Sequence, residues 1–104
     1  MLETIKKLFG IGTSVDLREV ARNGAVILDV RTKGEFQSGH IKGALNIPVQ
    51  NLASSLAKIP KDKAVITCCA SGMRSASAKG ILASNGFKEV YNGGSWMSLR
   101  NKIS

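Results

Sequence analysis

The sequence predicts an α/β domain with a mostly parallel central sheet and helices on both faces. Two short, nearly continuous apolar runs, residues 25–30 (AVILDV) and 64–68 (AVITC), have the branched composition of strands covered on both sides. Segments with helical apolar spacing alternate with them, and that order is the signature of parallel strands joined by crossover helices. At 104 residues, with 43% hydrophobic and 21% charged residues, the chain has the size and composition of one folded domain.

In chain order, residues 1–9 carry Leu2, Ile5, Leu8 and Phe9 at intervals of three and four. Residues 1–12 are accordingly expected to form an N-terminal extension, a helix packed on a single domain that spans 1–104. Asp16 followed by Glu19 reads as a capping box that opens a helix ending near Gly24. The first strand follows. A polar turn is expected over 31–43, then a short extended piece at 45–47 ended by Pro48, then a helical pattern through Leu52 and Leu56. After the second strand, a loop ending at Arg74 leads into an alanine-rich helix over 75–84, stopped by Asn85-Gly86. Val90 and Tyr91 form a last short strand. The Gly93-Gly94 pair then turns the chain into a terminal helix bearing Trp96, Leu99 and Ile103.

Composition narrows the function classes. No apolar run approaches the ~20 residues that span a bilayer, and the N-terminus lacks the pattern of a signal peptide, so a cytoplasmic location is expected. The net charge of +8 favours anionic ligands. The cations are nevertheless scattered and the few aromatics do not alternate with them, which argues against nucleic-acid binding. Membrane binding is not expected either. The only cysteines, Cys68 and Cys69, are neighbours: they make no long-loop staple, and they lack the partners of a zinc site.

Chemistry concentrates where the second strand ends. A loop entering a helix turns backbone N–H groups toward one point, and the helix dipole adds positive potential there. A thiol at the base of such a loop loses its proton readily, and the thiolate is the nucleophile. Cys69 occupies that place, Gly72 allows the loop to curl, and Arg74 adds a cation. Other polar residues have structural readings: an Arg31–Glu35 ion pair across a turn, Asp29 holding nearby backbone N–H groups, and His40 in a scaffold hydrogen bond. Trp96 is assigned to the core and Met73 to the mouth of the loop. The five residues between Cys68 and Arg74 also match the spacing of phosphatase and arsenate-reductase loops. Strand alternation, however, points the two cysteines to opposite faces, so only one can look into the loop.

Residues 65–75 (VITCCASGMRS) resemble the active-site strand and loop of the rhodanese family. The segments 28–31 (LDVR), Glu35-Phe36, 39–41 (GHI), Gly43-Ala44 and 46–48 (NIP) resemble that family's first motif, and 92–94 (NGG) with Trp96 its C-terminal turn. A cysteine at position 68, before the nucleophile, departs from the usual pattern. The resemblance implies a rhodanese-like fold and a thiosulfate sulfurtransferase that works through a persulfide on Cys69. The backbone of Ala70, Ser71, Gly72, Met73 and Arg74 would bind the substrate, without cofactor or metal. It further implies a small anionic sulfur donor, a cyanide, thiol or protein acceptor, and a monomer. A non-catalytic or sulfur-carrier module, and a phosphatase or arsenate reductase using Cys68, are the alternatives.

Overall fold

The computed structural model describes residues 15–104; the expected N-terminal helix lies outside the described residues. Asp16 caps the first helix, α1 (Leu17–Arg22), its carboxylate accepting from the backbone N–H groups of Arg18 and Glu19. Strand β1 (Val26–Asp29) leads to α2 (Lys33–Ser38), β2 (Leu45–Asn46), the single turn α3 (Val49–Leu52) and a 3₁₀ turn (Leu56–Lys58). Then come β3 (Val65–Cys69), α4 (Met73–Ser84), β4 (Val90–Ser95) and α5 (Trp96–Ile103).

The four strands form one parallel sheet in the order β2-β1-β3-β4. On one face Leu28, Val30, Val65 and Cys69 meet Leu52 of α3 and Ala78 and Leu82 of α4. On the other, Ile66 and Cys68 meet Leu99 of α5, with Leu17 and Val20 of α1 packed behind. Neighbouring strand residues thus divide between two cores, as a period of two requires. Burying a leucine such as Leu28, Leu52 or Leu82 contributes about 1.5–3 kcal/mol, so the sheet is held from both sides. Among the described residues, no helix is long and apolar enough to cross a membrane.

Three expectations need correction. The stretch 31–43 is not simply a turn, because Thr32 and Glu35 form a reciprocal capping box that starts α2. The helical pattern through Leu52 and Leu56 is broken into two separate turns around residues 53–55. The last strand does not stop at Tyr91: it continues through both glycines to Ser95. The reason is close approach. A Cβ on Gly93 would lie 2.7 Å from the Thr67 carbonyl oxygen, so only glycine lets β4 stay against β3 there. Pairing runs Thr67 to Asn92 and Cys69 to Ser95, so β4 carries one extra residue, a bulge beside Cys69.

Candidate active site

Cys69 is the last residue of β3, at the carboxyl edge of the sheet, where ligands bind in open α/β folds. The chain leaves the strand through residues 70–72 and enters α4 at Met73. Gly72 is the N-cap in a left-handed conformation (φ +109°), which only glycine adopts freely, and a Cβ there would touch Gly94 Cα at 3.6 Å. This curl brings two backbone donors onto the sulfur: Gly72 N–H at 2.9 Å and Ser75 N–H at 3.3 Å.

The two cysteines therefore differ sharply. Burial raises the Cys69 pKa, but the Ser75 hydroxyl and N–H, with the N–H groups of Gly72 and Ser71, outweigh it and hold the thiol below its ordinary value. Cys68 faces the opposite core, where burial first and the Asp29 charge second, opposed by Arg31, push it up to about 12. Of the residues expected to cradle sulfur, Gly72 and Ser71 supply such donors. No hydrogen bond from Ala70, Met73 or Arg74 reaches the Cys69 thiol; Met73 is 81% exposed, and the next donor along the chain is Ser75, which motif spacing did not single out. The sulfur is also covered, with Cys69 at 0% exposure beneath the loop, because the same N–H bonds draw the loop down onto it.

Arg74 is engaged rather than free. Its guanidinium makes a bidentate pair with Glu35 of α2, at 2.7 and 3.0 Å. Hydrogen bonding to Arg74, then to the Thr32 backbone, lowers the Glu35 pKa to about 2. The expected Arg31–Glu35 ion pair is thus absent; Arg31 reaches only the Glu35 backbone carbonyl, at 3.3 Å. Arg31 instead grips Asp29 (2.7 Å) and Gly39 O (2.7 Å) and stacks over Trp96, 4.6 Å from the ring centroid. Asp29 also accepts from the Arg31 N–H, as expected, and Asn46 ties down the carbonyls of Asp29 and Arg31. These bonds fix the end of β1 and, through it, α2 and Glu35. His40 donates to the Phe36 carbonyl at 2.7 Å and stacks on its ring, a scaffold role. Trp96 packs on the core that holds Cys68.

What this arrangement can do is hold an anionic sulfur by backbone donors without a general base. Residues 14–99 match the rhodanese-like domain family. The chain belongs to that family. Among its relatives is the uncharacterized protein YqhL of Bacillus subtilis (strain 168), 43% identical over 68 residues, 65% of this chain and 54% of that protein. Another is the thiosulfate sulfurtransferase GlpE of Pseudomonas savastanoi pv. phaseolicola, 38% identical over 69 residues, 66% of this chain and 65% of that protein. The chain thus spans between half and two thirds of these curated relatives. Among solved structures, the human single-domain sulfurtransferase TSTD1 superposes with a TM-score of 0.73 at 30% identity, covering 85% of this chain and 92% of that one. A rhodanese from E. coli, solved with anions, gives 0.68 at 31% identity, covering 72% and 91%.

Proposed function

We propose that the protein is a sulfurtransferase that moves a sulfane sulfur, from thiosulfate or a related anionic donor, to cyanide or a thiol. The Cys69 thiolate attacks the outer sulfur of the donor, a new S–S bond forms, and sulfite leaves with the electron pair of the broken one. The resulting persulfide carries its negative charge on the outer sulfur. Attack by cyanide or a thiolate removes that sulfur and returns the Cys69 thiolate, so no net redox partner is needed. The N–H groups of Gly72 and Ser75 stabilise charge on sulfur. The observation that carries this reading is the pair of backbone donors on Cys69 Sγ, at 2.9 and 3.3 Å, on the one cysteine of the two whose pKa is lowered.

A thiosulfate:cyanide assay run beside an aryl phosphate assay tests it. The wild type forms thiocyanate and releases no phosphate, Cys69→Ser loses transfer, and Cys68→Ser retains it. Loss in Cys68→Ser with survival in Cys69→Ser, or phosphate release, would reverse the assignment. The phosphatase alternative has little support from the geometry, since Cys68 faces away from the loop with its pKa near 12. A sulfur-relay module gains some support from the full cover over Cys69. It would load a persulfide from thiosulfate yet turn over only when a protein acceptor is added.

A further inference from the structure

The Ser75 hydroxyl has one proton and several acceptors. It lies 2.6 Å from Asn92 Oδ1 and 3.0 Å from the Gly72 carbonyl oxygen, and the N–H of the same residue meets the Cys69 sulfur at 3.3 Å, which sets the hydroxyl beside that sulfur. The orientation of the Asn92 amide is fixed by a second contact: the Gly94 N–H, which can only donate, meets the same atom at 2.9 Å. That atom is therefore the amide oxygen. An oxygen with no proton obliges Ser75 to be the donor at 2.6 Å, the shortest of these contacts. Asn92 sits on β4 one residue before the bulge that faces Cys69, and Thr67 Oγ1 donates to the Ser75 carbonyl at 2.9 Å, holding Ser75 between the two strands.

We propose that Asn92 is a positioning residue for the sulfur site: its amide oxygen competes with Cys69 Sγ for the Ser75 hydroxyl proton and weakens what that hydroxyl gives the sulfur. The consequence is a thiolate held in place but not over-solvated. Each further donor stabilises the anion and at the same time lowers the electron density available for attack on a donor sulfur. This inference rests on Cys69 being the working sulfur, but its test reads ionisation rather than transfer, so the two can fail separately.

The other groups around Cys69 are Arg74 on α4, already paired with Glu35 of α2, and Cys68 on β3. Cys68 and the only tyrosine, Tyr91, are both pushed up to about 12. The ultraviolet absorbance of thiolate followed against pH therefore reports Cys69 alone below that range. Asn92 is exposed, and Asn92→Leu keeps its approximate shape while removing the acceptor. The expected result is a titration midpoint lower by about one pH unit, the worth of one hydrogen bond to a charged group. Adding Ser75→Ala to Asn92→Leu should cancel that shift. Asn92→Asp keeps both accepted bonds and adds a negative charge, so its midpoint should rise. A midpoint in Asn92→Leu that stays or rises, or a fall that survives Ser75→Ala, overturns the proposal. Should Asn92→Leu not fold, an unmoved midpoint in Asn92→Asp overturns it equally.

Discussion

Arg74 shows how far a residue's role depends on what it touches. From the sequence it is a free cation at a loop end; in the structure its charge is already shared with Glu35, 35% and 37% exposed respectively. Because the carboxyl is depressed from the ordinary 4.5 to about 2, the pair is intact across the whole neutral and mildly acid range. Its contribution to stability is present above pH 4.5 and disappears only as pH falls through about 2. Half-exposed as it is, that contribution is about 1 kcal/mol or less. The larger effect falls on anion binding. Arg74→Ala should raise the KM for thiosulfate about tenfold, equivalent to about 1.4 kcal/mol, with a smaller change in kcat. Glu35→Gln should lower KM several-fold, because the neutral amide still accepts from Thr32 but no longer neutralises the guanidinium. Steady-state kinetics on both variants check this, and KM moving in the same direction in both would refute it. The Arg74–Glu35 pairing was not legible beforehand. The partners lie 39 positions apart and meet only because β1 and β3 are neighbours, which no local spacing encodes.

At the scale of elements, what the sequence revealed were features written in local pattern. The strands β1 and β3, the alanine-rich α4 and the opposite facing of Cys68 and Cys69 all follow from periodicity. What it concealed was decided by contact between elements. Gly93-Gly94 has the composition of a turn, yet it continues β4, because tertiary packing needs a missing side chain there rather than a bend. Helix α2 was hidden inside a polar stretch and buries none of its residues; its one local signal was Thr32 with Glu35 three residues later. Two glycine substitutions separate these cases. Gly93→Ala would set a Cβ 2.7 Å from Thr67 O and 2.9 Å from both Ile66 Cγ2 and Leu99 Cδ2, forcing β4 off β3. A loss of about 1–3 kcal/mol is expected, with a drop in transfer activity because the bulge beside Cys69 moves. Gly80→Ala, in an exposed position of α4 with open space around it, should gain about 0.5–1 kcal/mol. Urea denaturation of both variants reads the two signs directly.

For the molecule as a whole, the sheet separates two thiols that are adjacent in sequence into two environments with different routes to solvent. Both are fully covered in the closed structure, but by different amounts of protein. Cys69 lies beneath the short loop 70–72, whose Ala70 and Ser71 are exposed, and a local opening of that loop is expected to uncover it. Cys68 is enclosed by Ile41, Ile66 and Leu99, beneath α5, and nothing short of taking the sheet and that helix apart exposes it. Ionisation widens the gap. With a pKa of about 12, Cys68 is thiolate in only about one molecule in ten thousand at pH 8, whereas Cys69 ionises below its ordinary value. Iodoacetamide at neutral pH should therefore label Cys69 first, at a rate that climbs with pH until the thiol is fully ionised and then levels off. Cys68 should react only through global unfolding, and its labelling should accelerate with urea according to the full m-value, while labelling of Cys69 should respond weakly. Prior incubation with thiosulfate should add the mass of one sulfur to Cys69, and cyanide should remove it. Mass spectrometry of peptides quenched over time locates each label. Equal rates at the two positions, or the same urea dependence for both, would mean that the loop does not open independently of the sheet and that Cys69 is as inert as its neighbour.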